Sequence, residues 1–255
     1  MTVSDHQATS GEPREPWKLV ATFLWSTAAL LVWGAVQFSV IFALLLWLDP
    51  QAQMPQGQMD ALALHALPVS LVTIAALPAQ LAVIWLAVRR AGWRFADYLA
   101  LSWPPMRYLI LGFIGIVILL PLTDLSSYLG DQPIVPDTVV MLYVTARDSG
   151  TLWLLALALV VAAPLAEELV FRGFMFRGLA ASHVGVAGAI FIPAFIWAVM
   201  HLQYSSLYIL HIFIIGLLFG WLRWRSGSTL VPLVLHGAVN LTALLQVAYL
   251  AGRAI

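Results

Sequence analysis

The sequence predicts an all-α fold, a polytopic transmembrane bundle of about seven to eight helices. Apolar residues make up 62% of the 255 positions and charged residues only 9%, far below the roughly 25% charge of a soluble domain. The apolar residues run in stretches of about 20 or more, the length that a helix needs to cross a bilayer. Short polar segments separate these stretches, as in a membrane protein with many spans.

Seven stretches are long enough to be spans, taken in chain order: 19–48, 64–88, 107–130, 151–180, 184–204, 206–224 and 228–250. The segment 131–150 is different, because it holds two prolines and one short apolar run, Val139 to Val144. We expect this segment to be a loop or an interfacial helix rather than an eighth span.

The chain divides into three parts. Residues 1–18 are polar and carry both acids and bases, unlike a cleavable signal peptide, so we expect a cytoplasmic tail and a retained first span. Residues 19–150 are expected to form N-terminal transmembrane helices, and residues 151–250 a core of four more. No separate soluble domain, linker or internal repeat is visible in the sequence.

Charge and cysteine content exclude several functions. The formal net charge is zero at pH 7, which argues against a nucleic-acid partner. The chain has no cysteine, and therefore no thiol nucleophile and no thiolate metal site. No Gly-x-Ser-x-Gly turn marks a serine nucleophile. A hydrolase built on this sequence would therefore activate water directly.

Basic residues predict the orientation of the bundle. With the N-terminus in the cytoplasm and alternating spans, only Arg147 and Arg253 of the 12 Lys and Arg residues fall on the outer side. This bias predicts a cytoplasmic N-terminus and an outer C-terminus. The short N-terminus without a targeting signal is typical of a bacterial protein, so we expect an integral protein of the bacterial cytoplasmic (inner) membrane.

Ionisable side chains inside the spans are the candidate functional residues, because charge at bilayer depth is unfavourable and usually marks a function. Polar groups lie in three spans of the second half: Glu167, Glu168 and Arg172 in the fourth, His201 in the fifth, and His236 and Asn240 in the seventh. Counted at a rise of about 1.5 Å per residue, four of them lie about 12 to 22 Å from the cytoplasmic ends of their spans: Glu167, His201, His236 and Asn240. We expect them to meet in one layer within the membrane.

Helical spacing separates the roles of the two glutamates. Glu168 and Arg172 are four residues apart and can pair on one helix face. Glu167 is turned by about 100° from Glu168 and points elsewhere. We therefore expect Glu168 to be an ionised, supporting residue held by Arg172, and Glu167 to be the free carboxylate. His236 and Asn240 also share one helix face.

These residue types favour hydrolysis by activated water. Glu167, assisted by His201, would take a proton from a water that attacks a peptide carbonyl. His236 and the Asn240 amide would donate hydrogen bonds to the developing oxyanion. Zinc is the minority alternative, since two histidines and a glutamate form a known ligand set. The His-Glu-x-x-His spacing is absent, so we expect no cofactor.

The motifs resemble those of a known family. Glu167-Glu168-x-x-x-Arg172, the aromatic-x-x-x-His motif Trp197 to His201, and His236-x-x-x-Asn240 are similar, over about residues 151–245, to the motifs of the CPBP family. This family comprises CAAX proteases and bacteriocin-processing enzymes and is also called Abi.

The resemblance implies an all-helical intramembrane glutamic endopeptidase. It implies that Glu167 and His201 activate water and that His236 and Asn240 form an oxyanion hole. Its second motif usually begins with Phe, and we expect Trp197 to alter the shape of the pocket rather than the chemistry. Family members commonly have eight spans. The resemblance therefore also allows an eighth span in the segment 131–150, which is expected from the residues to be a loop or an interfacial helix.

The residues fit three classes of function: a peptidase, a transporter and a scaffold. We expect a membrane-embedded or lipidated peptide, with or without CAAX-type prenylation, that enters from the cytoplasmic side of the bilayer. A proton-coupled transporter would also hold acids and histidines in a bundle, but it predicts discontinuous helices and an internal repeat. A non-catalytic scaffold is the third hypothesis. Asp124 is a candidate for a second polar site, but we expect it to face water near the outer surface, and we expect His211 to be a packing residue. Oligomeric state is not readable from the sequence.

Overall fold

The computed structural model describes residues 15–48 and 65–251. The polar tail before residue 15 and Arg253 lie outside these ranges. Within them the chain forms these helices: α1 (Leu19–Leu48), α2 (Ala66–Arg90), α3 (Phe95–Tyr98), α4 (Met106–Leu129), α5 (Asp137–Asp148), α6 (Leu152–Ala180), α7 (Gly185–Val199), α8 (Ser206–Ser226) and α9 (Leu230–Ala251). Six of them are long and apolar enough to cross a membrane, and α7 is a shorter apolar helix. The predicted helical bundle is confirmed.

The predicted spans match the helices closely, with one correction in the fifth. Helix α7 ends at Val199, whereas the sequence predicted a span to residue 204. Two tight backbone hydrogen bonds, from the His201 N–H to the Ala198 carbonyl and from the Tyr204 N–H to the His201 carbonyl, both 3.0 Å, form turns beyond the helix end. His201 therefore lies in a turn and not within a helix.

The segment 131–150 contains the short helix α5. Its 12 residues extend about 18 Å at the helical rise, too little to cross a hydrocarbon core of about 30 Å. The backbone N–H of Ala66 donates a 3.0 Å hydrogen bond to the Thr145 hydroxyl, which ties α5 to the start of α2. The expectation that this segment is not an eighth span is confirmed.

Helix α6 is the centre of the bundle. It packs against α1, α2, α7, α8 and α9. In its most apolar 18-residue stretch, 56% of the residues are buried inside the protein, against 6% in the corresponding stretch of α1. The large apolar side chains that stay exposed on the other helices are suited to contact lipid. The site-bearing helix is therefore shielded by its neighbours on several sides.

Two π-helical segments interrupt α6, where the sequence predicted a continuous α-helix. They span Leu157–Ala162 and Leu169–Met175, on either side of the glutamate pair. In the first, the Ala163 N–H bonds to the Ala158 carbonyl five residues back. The same spacing would pair the Leu159 carbonyl with the N–H of residue 164, which is proline and has none. The Leu159 carbonyl is thus left for another partner.

The two ends of the bundle differ in charge. One end, here named the arginine-rich end, is held by bonds such as Trp17 Nε1 to the Ala87 carbonyl (2.9 Å) and the Thr229 N–H to the Ala100 carbonyl (3.0 Å). Its basic residues are Lys18, Arg89, Arg90, Arg94, Arg107, Arg177, Arg223 and Arg225, beside the acids Glu15 and Asp97. The other end, the acidic end, has the opposite balance among the described residues: Asp124, Asp131, Asp137 and Asp148 with Arg147.

Candidate active site

One cavity brings together the four residues for which catalytic roles are predicted. Its wall includes Glu167, His201, His236 and Asn240, and its volume is about 270 Å³. The lining extends from the aromatic rings of Trp197 and Phe219 in the middle of the bundle to the acidic end, where it includes Ile134, Val135, Pro136, Val139, Tyr204 and Tyr208. The cavity therefore extends from the middle of the bundle to the acidic end.

Glu168 and Arg172 form the expected ion pair. Arg172 Nη1 donates a 2.9 Å hydrogen bond to Glu168 Oε1, and both side chains are at most 1% exposed. Arg172 Nη2 also donates to the Gly216 carbonyl at 3.4 Å. A Cβ at residue 216 would lie 3.2 Å from this nitrogen, so glycine there leaves room for the guanidinium. The pairing predicted from helical spacing is confirmed.

Glu168 also holds His236, a contact that the sequence did not predict. His236 Nδ1 lies 2.9 Å from the same Oε1 atom that binds Arg172. An ionised carboxylate can only accept hydrogen bonds, so with Glu168 ionised the imidazole carries its proton on Nδ1. The opposite nitrogen, Nε2, then lies 3.9 Å from Glu167 Oε2. Glu168 thus orients the ring that stands next to the second glutamate.

Glu167 is not the unpaired carboxylate that the sequence suggested. The Trp197 indole N–H donates a hydrogen bond to Glu167 Oε2. The expectation that Trp197 changes only the shape of the pocket was wrong, because a phenylalanine in its place would have no donor. The signal that was missed is the indole N–H of Trp197, which lies in an apolar span. Buried tryptophans usually find a hydrogen-bond acceptor, so this N–H needed a polar partner on another helix.

Trp197 also sets the tautomer of His201. The Trp197 carbonyl lies 2.7 Å from His201 Nδ1, and a carbonyl oxygen can only accept. His201 Nδ1 is therefore the donor, and in the neutral ring Nε2 keeps a lone pair. The two aromatic planes are nearly perpendicular, at 80°. One residue thus positions both groups that were predicted to act on water.

Asn240 donates to the carbonyl that the first π-helical segment leaves free. Its Nδ2 lies 2.7 Å from the Leu159 carbonyl oxygen, which fixes the amide and leaves a second N–H on the same nitrogen. Close approach of α9 to α6 depends on Gly237, where an added Cβ would lie 2.8 Å from the Val160 carbonyl. Backbone geometry in α6 and a glycine in α9 therefore place Asn240.

A zinc ion would need several ligands close together at the site. Within residues 15–48 and 65–251, no three histidine, aspartate or glutamate side chains are grouped to hold a metal ion. The zinc hypothesis stays an alternative, and chelation is its test.

Comparison with known proteins agrees with the resemblance read from the motifs. The family model for type II CAAX prenyl endopeptidases, described as Rce1-like, matches residues 149–242. This range runs from the start of α6 into α9 and contains all three motifs. Neither a curated protein nor a solved structure matches the chain. Residues 149–242 of this membrane protein are thus a domain of the Rce1-like CAAX protease family.

Proposed function

We propose that the protein is an intramembrane endopeptidase that uses Glu167 to activate water. The observation that carries the proposal is the contrast between the two adjacent glutamates. The Glu168 side chain is fully buried in its ion pair, whereas that of Glu167 is 17% exposed and lines the cavity. A carboxylate that reaches a cavity beside two histidines can act as a general base on a bound water.

The steps follow from the donors and acceptors around the cavity. A water between Glu167 and His201 Nε2 gives a proton to Glu167 as its oxygen attacks the peptide carbonyl. The second N–H of Asn240 donates to the oxyanion, and His236 Nε2 also donates when the ring is an imidazolium stabilised by Glu168. Glu167 then passes the proton to the leaving nitrogen as the C–N bond breaks, giving a carboxylic acid and an amine.

The direct test is proteolysis by the purified protein in liposomes. The substrates are internally quenched peptides with apolar segments, with and without a prenylated cysteine. Cleavage that is unchanged by EDTA would support water activation by a carboxylate, and cleavage lost with EDTA and restored by zinc would make the enzyme a metalloprotease. Failure of the folded wild-type protein to cleave any of these peptides would contradict the proposal.

Asn240→Ala is expected to lower kcat by about 100-fold to 1,000-fold, because it removes one oxyanion donor. KM should change much less, since the hydrogen bond to substrate forms mainly as charge develops on the oxygen. Steady-state kinetics on the best peptide measures both values. Thr242→Ala is the matched control, because the Thr242 hydroxyl donates to the Ala238 carbonyl of its own helix, at 2.9 Å. Equal rates for the two variants would remove Asn240 from the mechanism.

The direction of the cavity changes the expected route of the substrate. The sequence suggested cytoplasmic arginines and also cytoplasmic entry, but the cavity lining extends to the end opposite the arginines. A cytoplasmic arginine-rich end and entry of the substrate from the cytoplasm therefore exclude each other. Because the excess of basic residues on one side is the stronger physical signal, we propose that substrates enter from the extracytoplasmic face.

Single cysteines in this cysteine-free chain test the orientation. Gln132→Cys lies at the acidic end and His183→Cys at the arginine-rich end, both at exposed positions. In intact cells, a membrane-impermeant maleimide is expected to label the first variant and to label the second only after permeabilisation. The reverse pattern would place the mouth of the cavity in the cytoplasm and restore cytoplasmic entry.

A further inference from the structure

A second polar group lines the same cavity and has no part in the proposed mechanism. Asp124 of α4 accepts a 2.8 Å hydrogen bond at Oδ2 from Gln246 Nε2 of α9. Both residues lie on the cavity wall together with His211. The sequence suggested that Asp124 is a second polar site or faces water near the outer surface, and in the structure it lines the part of the cavity toward the acidic end.

The Asp124 carboxylate forms no ion pair with a Lys or Arg side chain in the part of the chain that the structure describes. Among residues 15–48 and 65–251, its Oδ1 also has no hydrogen bond. His211 also lines this part of the cavity, and its Nε2 lies 2.7 Å from the Ser126 hydroxyl rather than on Asp124. A carboxylate inside a membrane bundle usually faces the interior or a cavity and marks a site that handles a substrate or an ion. This one therefore fits a cation brought by a ligand.

The spacing between Asp124 and the catalytic end matches a short piece of extended peptide. Gln246, which binds Asp124, follows Asn240 by about 9 Å along α9 at the helical rise. An extended chain advances about 3.3 Å per residue. A peptide whose scissile bond lies beside Asn240 would thus bring its side chain about three residues away close to Asp124.

We infer that Asp124 is a specificity subsite that binds a lysine or arginine side chain of the substrate, about three residues from the scissile bond. The inference rests on the proposed peptidase function and adds a substrate class to it, peptides with one basic residue in an otherwise apolar stretch. Gln246 holds Oδ2, which leaves Oδ1 for the ligand. The remaining wall near Asp124 is mainly apolar, with Leu120, Ile134 and Val135, and suits the aliphatic stem of such a side chain.

The test compares peptides that differ at one position. Internally quenched peptides, acetylated and amidated at their ends, carry lysine or norleucine at two to four residues on either side of the cut. Wild type is expected to prefer lysine by about 10-fold to 100-fold in kcat/KM at one position. Asp124→Asn should lose this preference, because the amide keeps the shape and can still accept from Gln246 but carries no charge.

Asp137→Asn is the matched control, since it removes the same charge from an exposed residue of the acidic end that is not on the cavity wall. It should keep the lysine preference. If both variants lose the preference equally, the effect comes from the overall charge of that end, and the subsite is disproved. A wild type that treats lysine and norleucine alike at every position disproves it as well.

A binding assay separates this inference from the proposed function. The same peptides, fluorescently labelled, are titrated against Glu167→Gln protein with and without Asp124→Asn. Tighter binding of the lysine peptide that disappears with Asp124→Asn supports the subsite, even if wild type cleaves nothing and the peptidase proposal fails. Cleavage by wild type without any lysine preference in either assay leaves the peptidase proposal standing and overturns the subsite.

Discussion

Glu167→Gln is expected to reduce kcat by about 100-fold to 10,000-fold, the range that a general base contributes. The amide keeps the size of the side chain, and its oxygen can still accept from the Trp197 indole, so the cavity should keep its shape. It cannot take a proton from water. The measurement is single-turnover cleavage of the best peptide in liposomes, with the thermal unfolding midpoint of each protein as the check on folding.

The outcomes for Glu167→Gln separate the function classes. Wild-type cleavage by a folded variant would exclude Glu167 as the base. A transporter would instead show pH-dependent flux without proteolysis, which the same liposomes can report. A scaffold would keep its cellular phenotype in the variant. Among these outcomes, only loss of cleavage with unchanged stability supports the proposed mechanism.

Arg172→Met is expected to lower the free energy of unfolding by about 3–5 kcal/mol, because it leaves the buried Glu168 carboxylate without its main counter-charge. The guanidinium is 1% exposed and lies 4.6 Å from the centre of the Trp197 ring. Its loss therefore also loosens the residue that holds Glu167. Unfolding by denaturant in mild detergent measures the change.

Two comparisons make the Arg172 result specific. Arg225→Met removes an exposed arginine, and we expect a change within about 0.5 kcal/mol. The double change Glu168→Gln with Arg172→Met removes both charges and should recover part of the stability. If Arg172→Met is no worse than Arg225→Met, the buried pair does not stabilise the fold.

The sequence was sufficient for the spans and for the depth of the site. Apolar length alone placed the long helices, because hydrocarbon thickness sets a minimum that short loops cannot imitate. Helical rise placed Glu167, His236 and Asn240 at similar depths, since each lies inside one continuous span. The end of α7 was placed wrongly, because the apolar pattern continues through the turn that contains His201.

The side-chain contacts between helices could not be predicted from the sequence. The bond from Trp197 to Glu167 depends on the rotation of α7 against α6, and a single sequence contains no direct measure of that rotation. The same holds for the hydrogen bond of Gln246 to Asp124 and for the approach of Gly237 to Val160. The π-helical turns could not be predicted either, because the missing N–H of Pro164 was the only sign of them in the sequence.

The first π-helical segment makes the exact length of α6 part of the site. A π turn accommodates one more residue in each hydrogen-bonded ring than an α turn. If Leu157–Ala162 formed an ordinary α-helix with no residue removed, every later residue would move on by one position and turn by about 100° relative to the first turns. Ala166 would then stand where Glu167 stands, and Glu167 where Glu168 binds Arg172 and His236. Two neighbouring glutamates of identical chemistry are thus told apart by the register of the helix alone.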